Sequence, residues 1–346
     1  MTTLAATMDR VATATGFSGV VRVDVAGETV LERAWGLADR AYGVSMTPAT
    51  RIGVASGAKP LTALAVMRLV EDGVLSLGTR AREVLGADLP LVDDAVTVEH
   101  LLSHRSGIGD YLDEDDQDDM LAYVMPVPVH RLDAAESYLP ALDGHPQVFA
   151  PGTGFAYCNG GFCVLALIAE RVSGVRFQEL VRQQVIEPSG LTATAYLRSD
   201  QLPGDAARGY LDDGPRTNVL HLPVVGGGDG GVYTTAADVH AFWTALDGGR
   251  PVTPGTRDEM WRSRGFLDRT DRLDGYGLGF WRWGDAVVLE GYDAGASFRS
   301  AHLPGRASWS VLSNTTEGAW PVAAALDAVL TDGSGRPGRD APLDVR

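Results

Sequence analysis

The sequence predicts an α/β (α+β) protein, an antiparallel sheet flanked by helices and built from both chain ends, with an all-helical domain inserted between. Three observations carry that expectation. Apolar residues alternate with period two near the N-terminus and again over the last quarter of the chain. Helical periodicity fills the middle, and no internal repeat breaks the order. The expected α/β domain comprises residues 1–60 plus 225–346, the helical domain 61–224, and the seam between them is the expected place for a site.

The elements follow in order. Residues 19–34 read as a hairpin: Gly-Val-Val-Arg-Val-Asp-Val, the turn Ala-Gly-Glu, then Thr-Val-Leu-Glu-Arg-Ala. Alternation and a short Gly-containing turn are the hairpin signal. From Ser56 the period becomes helical, with Leu61, Leu64, Ala65, Met67, Leu69 and Val70 as the apolar stripe and Gly73 as the stop. Pro60 sits in the first turn or so, where a missing N–H is tolerated. From about 95 to 220, short helices alternate with long polar connections. They are expected at 99–103, 134–142 and, strongly apolar, 161–172, with Leu165, Ala166, Ile168 and Ala169 inward. Gly-rich 226–231 leads into Thr234-Thr235-Ala-Ala-Asp238, a capping-box-like start for a helix through Leu246. Strands are expected at 276–283, 286–290, 297–303 and 308–313 as an antiparallel meander. A helix at 320–330 closes the fold, and the Gly/Pro/Asp/Arg-rich tail 333–346 reads as loose.

Composition narrows the function. The chain has 346 residues, enough for about two domains of roughly 150. Its 45% apolar content supports a full core. A net charge of −16 with no basic tract argues against nucleic acid and anionic membrane surfaces. The acidic run Asp113 to Asp119 reads as a solvated loop rather than a metal site. Cys158 and Cys163 match no zinc or redox spacing and make no disulfide framework. The N-terminal residues show no signal-peptide pattern, and no apolar run approaches the roughly 20 residues of a membrane helix, so a cytoplasmic protein is expected.

One count is sharper. Of 29 basic residues, 28 are arginine, and the single lysine is Lys59. Arginine keeps its proton at working pH, whereas a buried lysine can lose it. Lys59 ends Ser56-Gly57-Ala58-Lys59 at the start of the first long helical pattern. Residues i and i+3 share a helix face, so hydroxyl and amine lie side by side. A serine hydroxyl becomes a nucleophile when a base takes its proton, and a helix N-terminus favours developing negative charge. A second element, Tyr157-Cys158-Asn159, precedes the apolar helix. Its phenol suits acid–base exchange beside an ammonium, and its amide suits a substrate carbonyl or the lysine. Taken singly, each pattern also fits an ordinary N-cap serine or a helix-preceding turn.

Together they resemble the first two motifs of the serine β-lactamase-like, penicillin-binding-protein superfamily, in particular the class C β-lactamases, related esterases and D-peptidases. Trp35-Gly-Leu-Ala-Asp-Arg40, Val96 to Ile108 and Gly230-Gly-Val-Tyr-Thr-Thr-Ala-Ala-Asp238 extend the resemblance over about residues 17–331. It implies a β-lactamase/transpeptidase-like fold with the active site between the domains. Ser56, Lys59 and Tyr157 would be catalytic, with no cofactor and no metal. The family's third motif, Lys-Thr-Gly or His-x-Gly, has Tyr292-Asp293-Ala294 followed by Gly295 as its expected counterpart. In that register Asn159, Tyr292, Asp293 and Gly295 bind substrate, the backbone N–H groups of Ser56 and Gly295 form an oxyanion hole, and a phenol replaces the usual cation. Arg299 is a possible stand-in for that cation if it points inward.

The implied activity is hydrolysis of small esters or amides through an acyl-serine intermediate. The missing cation weighs against β-lactams. Two alternatives stay open: a D-amino-acid peptidase, amidase or biosynthetic acyltransferase, and a binding protein that keeps the fold without activity. Whether Lys59 or Tyr157 is the base is a coupled question. Glu99-His100-x-x-x-His104 has metal-like spacing but not the zincin order. Gly226–Gly231 lacks a phosphate-loop lysine. Both read as structural, as do Asp39 and Asp238.

Overall fold

The computed structural model describes residues 3–112, 121–265 and 273–331. The acidic run at 113–119 and the tail at 333–346 lie outside the described residues.

After helix α1 (Leu4–Thr15), strands β1 (Gly19–Val25) and β2 (Glu28–Trp35) form the expected hairpin. Its two turn residues, Ala26 and Gly27, both take positive φ (50° and 83°). That conformation matches strand twist in a two-residue turn. Short strands β3 (Leu37–Asp39), β4 (Val44–Ser45) and β5 (Ile52–Gly53) follow. Helices α2 (Lys59–Glu71), α3 (Ala81–Leu85), α4 (Val98–Leu102), α5 (Leu139–Leu142), α6 (Asn159–Ser173), α7 (Phe177–Val181) and α8 (Glu187–Ser189) occupy the middle of the chain. Then come β6 (Tyr233–Thr234), α9 (Ala236–Asp247), α10 (Pro254–Trp261), β7 (Gly275–Tyr276), β8 (Trp281–Trp283), β9 (Ala286–Asp293), β10 (Ala296–Leu303), β11 (Ala307–Ser313) and α11 (Ala319–Leu330).

Seven strands form one antiparallel sheet in the order β2-β1-β11-β10-β9-β8-β7. Both chain ends contribute, because β1 lies beside β11 with Gly19 opposite Ser313 and Val25 opposite Ala307. Alternation along the strands splits the core. Val21, Val23, Val288, Ala301 and Trp309 pack under α1 and α11. Val20, Val287, Leu289, Phe298 and Leu312 face the other way, into the core that includes α2, α6 and α9. Both α2 and α6 are buried nearly all round, as expected of central helices. Leu64, Phe162, Leu165 and Ile168 are fully enclosed, each contributing about 1.5–3 kcal/mol of burial. Among the described residues no helix is long and apolar enough to cross a membrane.

The differences from expectation are local. The single strand expected at 276–283 is two strands, β7 and β8, joined by a loop. The Leu278 and Gly279 N–H groups of that loop donate to Met260 O and Leu102 O rather than to a neighbouring strand. The helix expected at 134–142 is a 3₁₀ turn (Ala135–Tyr138) followed by α5, with Pro140 at its second residue. Helices α1, α3, α7, α8 and α10 lie outside the expected helices. Ser56 stands in a 3₁₀ turn (Ala55–Ala58) ahead of α2 rather than within it.

Candidate active site

The Ser56 turn is held by backbone hydrogen bonds. Val54 N–H donates to Val232 O, and Gly57 N–H closes back on Val54 O at 2.8 Å. Ala55 takes φ = 47°, a conformation that L-residues adopt at a cost of about 1–3 kcal/mol when the surroundings impose it. Residues i and i+3 eclipse on a 3₁₀ turn, and here Lys59 Nζ lies 2.8 Å from Ser56 Oγ. Ser56 is half-buried, whereas Lys59 is 2% exposed. A buried ammonium is tolerated only with partners for its donors. Lys59 has three: Ser56 Oγ, Asn159 Oδ1 at 2.7 Å and the backbone carbonyl of Asp229 at 2.8 Å.

Asn159 is oriented by its other bonds. Its Nδ2 donates to Leu112 O at 3.1 Å, which leaves Oδ1 turned to the lysine. Its backbone N–H and that of Gly160, at the start of α6, donate to the carboxylate of Asp110. Burial raises the Asp110 pKa to about 6, with the negative charge of Asp229 adding to the effect. The N–H groups of Gly160, Leu112 and Asn159 oppose it.

Tyr157 stands between two rings. Trp281 stacks on it at 5.7 Å and 11°, and His104 lies 4.4 Å away, centroid to centroid. Lys59 Nζ is 4.8 Å from the Tyr157 centroid, within cation–π range. Nδ1 of His104 accepts from Cys158 N–H at 3.1 Å. Burial, then the Lys59 charge, pushes its pKa well below the usual histidine value. His104 is therefore a neutral wall for Tyr157. The structure thus brings Ser56, Lys59, Tyr157 and Asn159 into one constellation.

It does not bring the expected third motif there in the expected register. The Tyr292 hydroxyl donates to Glu317 Oε1 at 2.6 Å and its ring packs near Trp320 of α11, on the sheet face opposite the Ser56 turn. The Gly295 N–H, expected as an oxyanion donor, donates to Thr316 Oγ1 at 2.8 Å. Gly295 itself is a turn residue with φ = 74° between β9 and β10. Arg299 faces α11, buried between Glu290 and Asp327, so it does not stand in for the missing cation. On β9, Gly291 lies against the Ser56 turn. A Cβ there would stand 2.0 Å from Val54 O and 2.8 Å from Gly57 N. The residue two before it, Leu289, is buried in the α2-side core. Asp293 stays near the site; its Oδ1 accepts from Ala294 N–H at 2.9 Å.

The remaining motifs have structural partners. His100 completes a capping box with Thr97 at α4, and Glu99 pairs with Arg264. In the Gly-rich run, a Cβ on Gly228 would meet Phe162 O at 2.1 Å, so these glycines allow close backbone approach to α6. Asp39 pairs with Arg208, and Asp238 accepts from Ala193 N–H and Thr194 Oγ1. Sequence reasoning missed Asp110, Asp229, His104 as the Tyr157 wall, and Trp281. Only Asp229, the lone charged residue in a glycine run, carried a visible signal.

Comparison with known proteins adds to this geometry. The Beta-lactamase family model matches residues 4–331. A D-aminopeptidase of Brucella anthropi is 30% identical over 274 residues, 77% of this chain and 49% of that protein. The chain thus spans about half the length of the curated relatives it matches. Among solved structures, a penicillin-binding protein from Bacillus halodurans superposes with a TM-score of 0.85 at 35% identity. That match covers 93% of this chain and 99% of the other. The D-amino acid amidase from Ochrobactrum anthropi shares the fold, with a TM-score of 0.75 at 22% identity over 94% and 99% of the two chains.

Proposed function

Because the chain belongs to the beta-lactamase family of serine hydrolases, we propose that it cleaves small amides or esters through an acyl-Ser56 intermediate. The observation that carries this reading is the 2.8 Å approach of Lys59 Nζ to Ser56 Oγ, with the lysine held on two further sides by Asn159 and Asp229. Ser56 Oγ attacks the substrate carbonyl as its proton passes to the Lys59–Tyr157 pair. Collapse of the tetrahedral intermediate breaks the bond to the leaving group, which takes that proton. Water then attacks the acyl-serine carbonyl, gives a proton to the same pair and releases the acid, and Ser56 recovers its proton.

The oxyanion is assigned to the backbone N–H groups of Ser56 and Tyr292. Support comes from the alternation of hydrogen-bonded pairs. The two-residue turns at 284–285 and 294–295 close on the pairs Trp283–Ala286 and Asp293–Ala296. Counting from either turn directs the Gly291 N–H to β10 and the Tyr292 N–H to the opposite edge of β9, beyond the end of β8. Gly291 then takes the place of the third-motif glycine, with Leu289 where the family carries a cation or imidazole. Amides and peptides are favoured over β-lactams because that position offers nothing to a carboxylate. The name of the D-aminopeptidase relatives supports the amide side of the reading.

The test is hydrolysis of short-chain nitrophenyl esters, D- and L-alanine p-nitroanilides and one chromogenic cephalosporin by wild type and Ser56→Ala. Ester or anilide turnover that vanishes in the variant is expected. Turnover indifferent to Ser56, or a cephalosporin turned over far faster than the rest, would overturn the reading.

A further inference from the structure

Three consecutive residues, Asp110, Tyr111 and Leu112, reach both acceptors that hold Lys59 from outside the Ser56 turn. Two of them serve Asn159. The Asp110 carboxylate accepts from the Asn159 and Gly160 N–H groups, and the Leu112 carbonyl accepts from Asn159 Nδ2 at 3.1 Å. The middle one serves Asp229. Its phenol donates to the Asp229 carboxylate, while the backbone carbonyl of the same aspartate accepts from Lys59 Nζ at 2.8 Å.

Asp229 has particular need of such an anchor. It stands between Gly228 and Gly230 in a run that also holds Gly226, Gly227 and Gly231. Glycine leaves the backbone unusually free, so the position of the Asp229 carbonyl is not set by the side chains of its chain neighbours. Thr62 Oγ1 of α2 holds the preceding carbonyl, Gly228 O, at 2.6 Å. Asp229 itself borders a cavity of about 950 Å³, counting its open mouth, which adjoins the Ser56 turn through Ala55 and Gly230. Tyr111, on the same wall, is rigid enough to grip it: the residue is 7% exposed, and its backbone carbonyl accepts from the Tyr123 hydroxyl at 2.7 Å. Burial first, then the charge of Asp229, pushes the Tyr111 phenol well above its usual value, so it stays a donor. A hydrogen bond to a carboxylate is about twice as strong as a neutral one.

We propose that residues 110–112 are a clasp that fixes the acceptors of the Lys59 amine, with Tyr111 a positioning residue that acts on the lysine through the side chain of Asp229. The proposal rests on the acyl-Ser56 reading and adds to it a residue that touches neither serine nor lysine. Cutting the link frees the Asp229 carbonyl to drift from the amine, and a displacement of about 1 Å in such a site costs about 10²-fold in rate.

The protein's single lysine supplies a readout apart from turnover. With ¹³C,¹⁵N-labelled lysine incorporated, the NMR spectrum holds one labelled amine, that of Lys59. Its signal is expected to shift and broaden in Tyr111→Phe and to stay in place in Tyr42→Phe, a change at an 80% exposed ring. In nitrophenyl ester hydrolysis, Tyr111→Phe should lower kcat about 10²-fold and leave KM within about threefold. Asp229→Ala should lose about as much, and the double variant no more, because both changes cut one link. Asp229→Asn keeps an oxygen for the phenol and should retain at least about ten times the kcat of Asp229→Ala. A Lys59 signal unmoved in Tyr111→Phe, or additive losses in the double variant, would overturn the proposal. So would Asp229→Asn as slow as Asp229→Ala, which would give the role to the charge rather than to the tether. A shifted Lys59 signal alongside turnover indifferent to Ser56→Ala would instead sink the catalytic reading and leave the clasp standing.

Discussion

Two neighbouring regions of this molecule treat their polar groups in opposite ways. Around Lys59 the bonding is complete: three acceptors meet the amine, and Asn159 is itself aimed by Leu112 and Asp110. In the neighbouring cavity that Asp229 helps to line, Asn314 and Tyr138 keep buried oxygens without partners. The first arrangement suits a proton relay, which works best when its geometry is held before the reaction begins. The second suits recognition, because a group left unsatisfied in the free protein rewards the ligand that satisfies it. The difference teaches that burial alone does not distinguish the two roles; the completeness of hydrogen bonding does.

The largest effects should come from the relay side. Ser56→Ala should lower turnover by about 10⁴-fold or more and abolish labelling by an active-site phosphonate; near-normal labelling would break the assignment. Lys59→Arg keeps the charge but not a donor that readily gives up its proton, and a loss of about 10³-fold in kcat is expected from ester assays. Retained activity would show that no deprotonated amine is needed. Gly291→Ala forces β9 away from Val54 O and Gly57 N, and kcat should fall about 10²-fold, with about 1–3 kcal/mol lost in urea unfolding. An unaffected variant would return the third motif to Tyr292–Gly295.

A smaller effect is a pH slope. Asp110 has its folded-state pKa raised from 3.8 to about 6, chiefly by burial. The folded protein therefore holds this proton more tightly than the unfolded chain. Its stabilising contribution is fully present below about pH 3.8 and is lost as pH rises through about 6. The gap corresponds to about 3 kcal/mol. In urea unfolding between pH 4 and 7, Asp110→Asn should remove that downward slope; an unchanged slope would assign the pH dependence elsewhere. The smallest effect belongs to the cavity. Tyr138→Phe deletes a buried hydroxyl that has no partner, so stability should stay level or rise by up to about 1 kcal/mol. A clear loss would show that the hydroxyl is bonded in solution and would blur the contrast drawn above.

Much of this was legible in the sequence. Strand period fixes which side chains share a face, so the hairpin at 19–34 and the C-terminal strands were placed within a few residues. The spacing of Ser56 to Lys59 is local, and a single turn of either helix type brings the two together. The lone lysine among 28 arginines marked its own position. These features depend on neighbours within one turn or one strand.

What the sequence left undecided depends on long-range closure. The register of the third motif could be read only where β9 meets the nucleophile turn, because a strand shows two alternating faces but not which residue crosses a distant helix. The chain-distant partners of the relay, Asp110 and Asp229, become neighbours of Lys59 and Asn159 only when α2, α6 and the Gly-rich segment pack together. By itself the sequence determined the N-terminal hairpin, the main strands and central helices, the fold class and the serine–lysine pair, since each is written at short range. Tertiary structure alone decided which glycine edges the site, which way Tyr292 and Arg299 point, and which buried oxygens lack partners, because those are properties of packing between segments far apart in the chain.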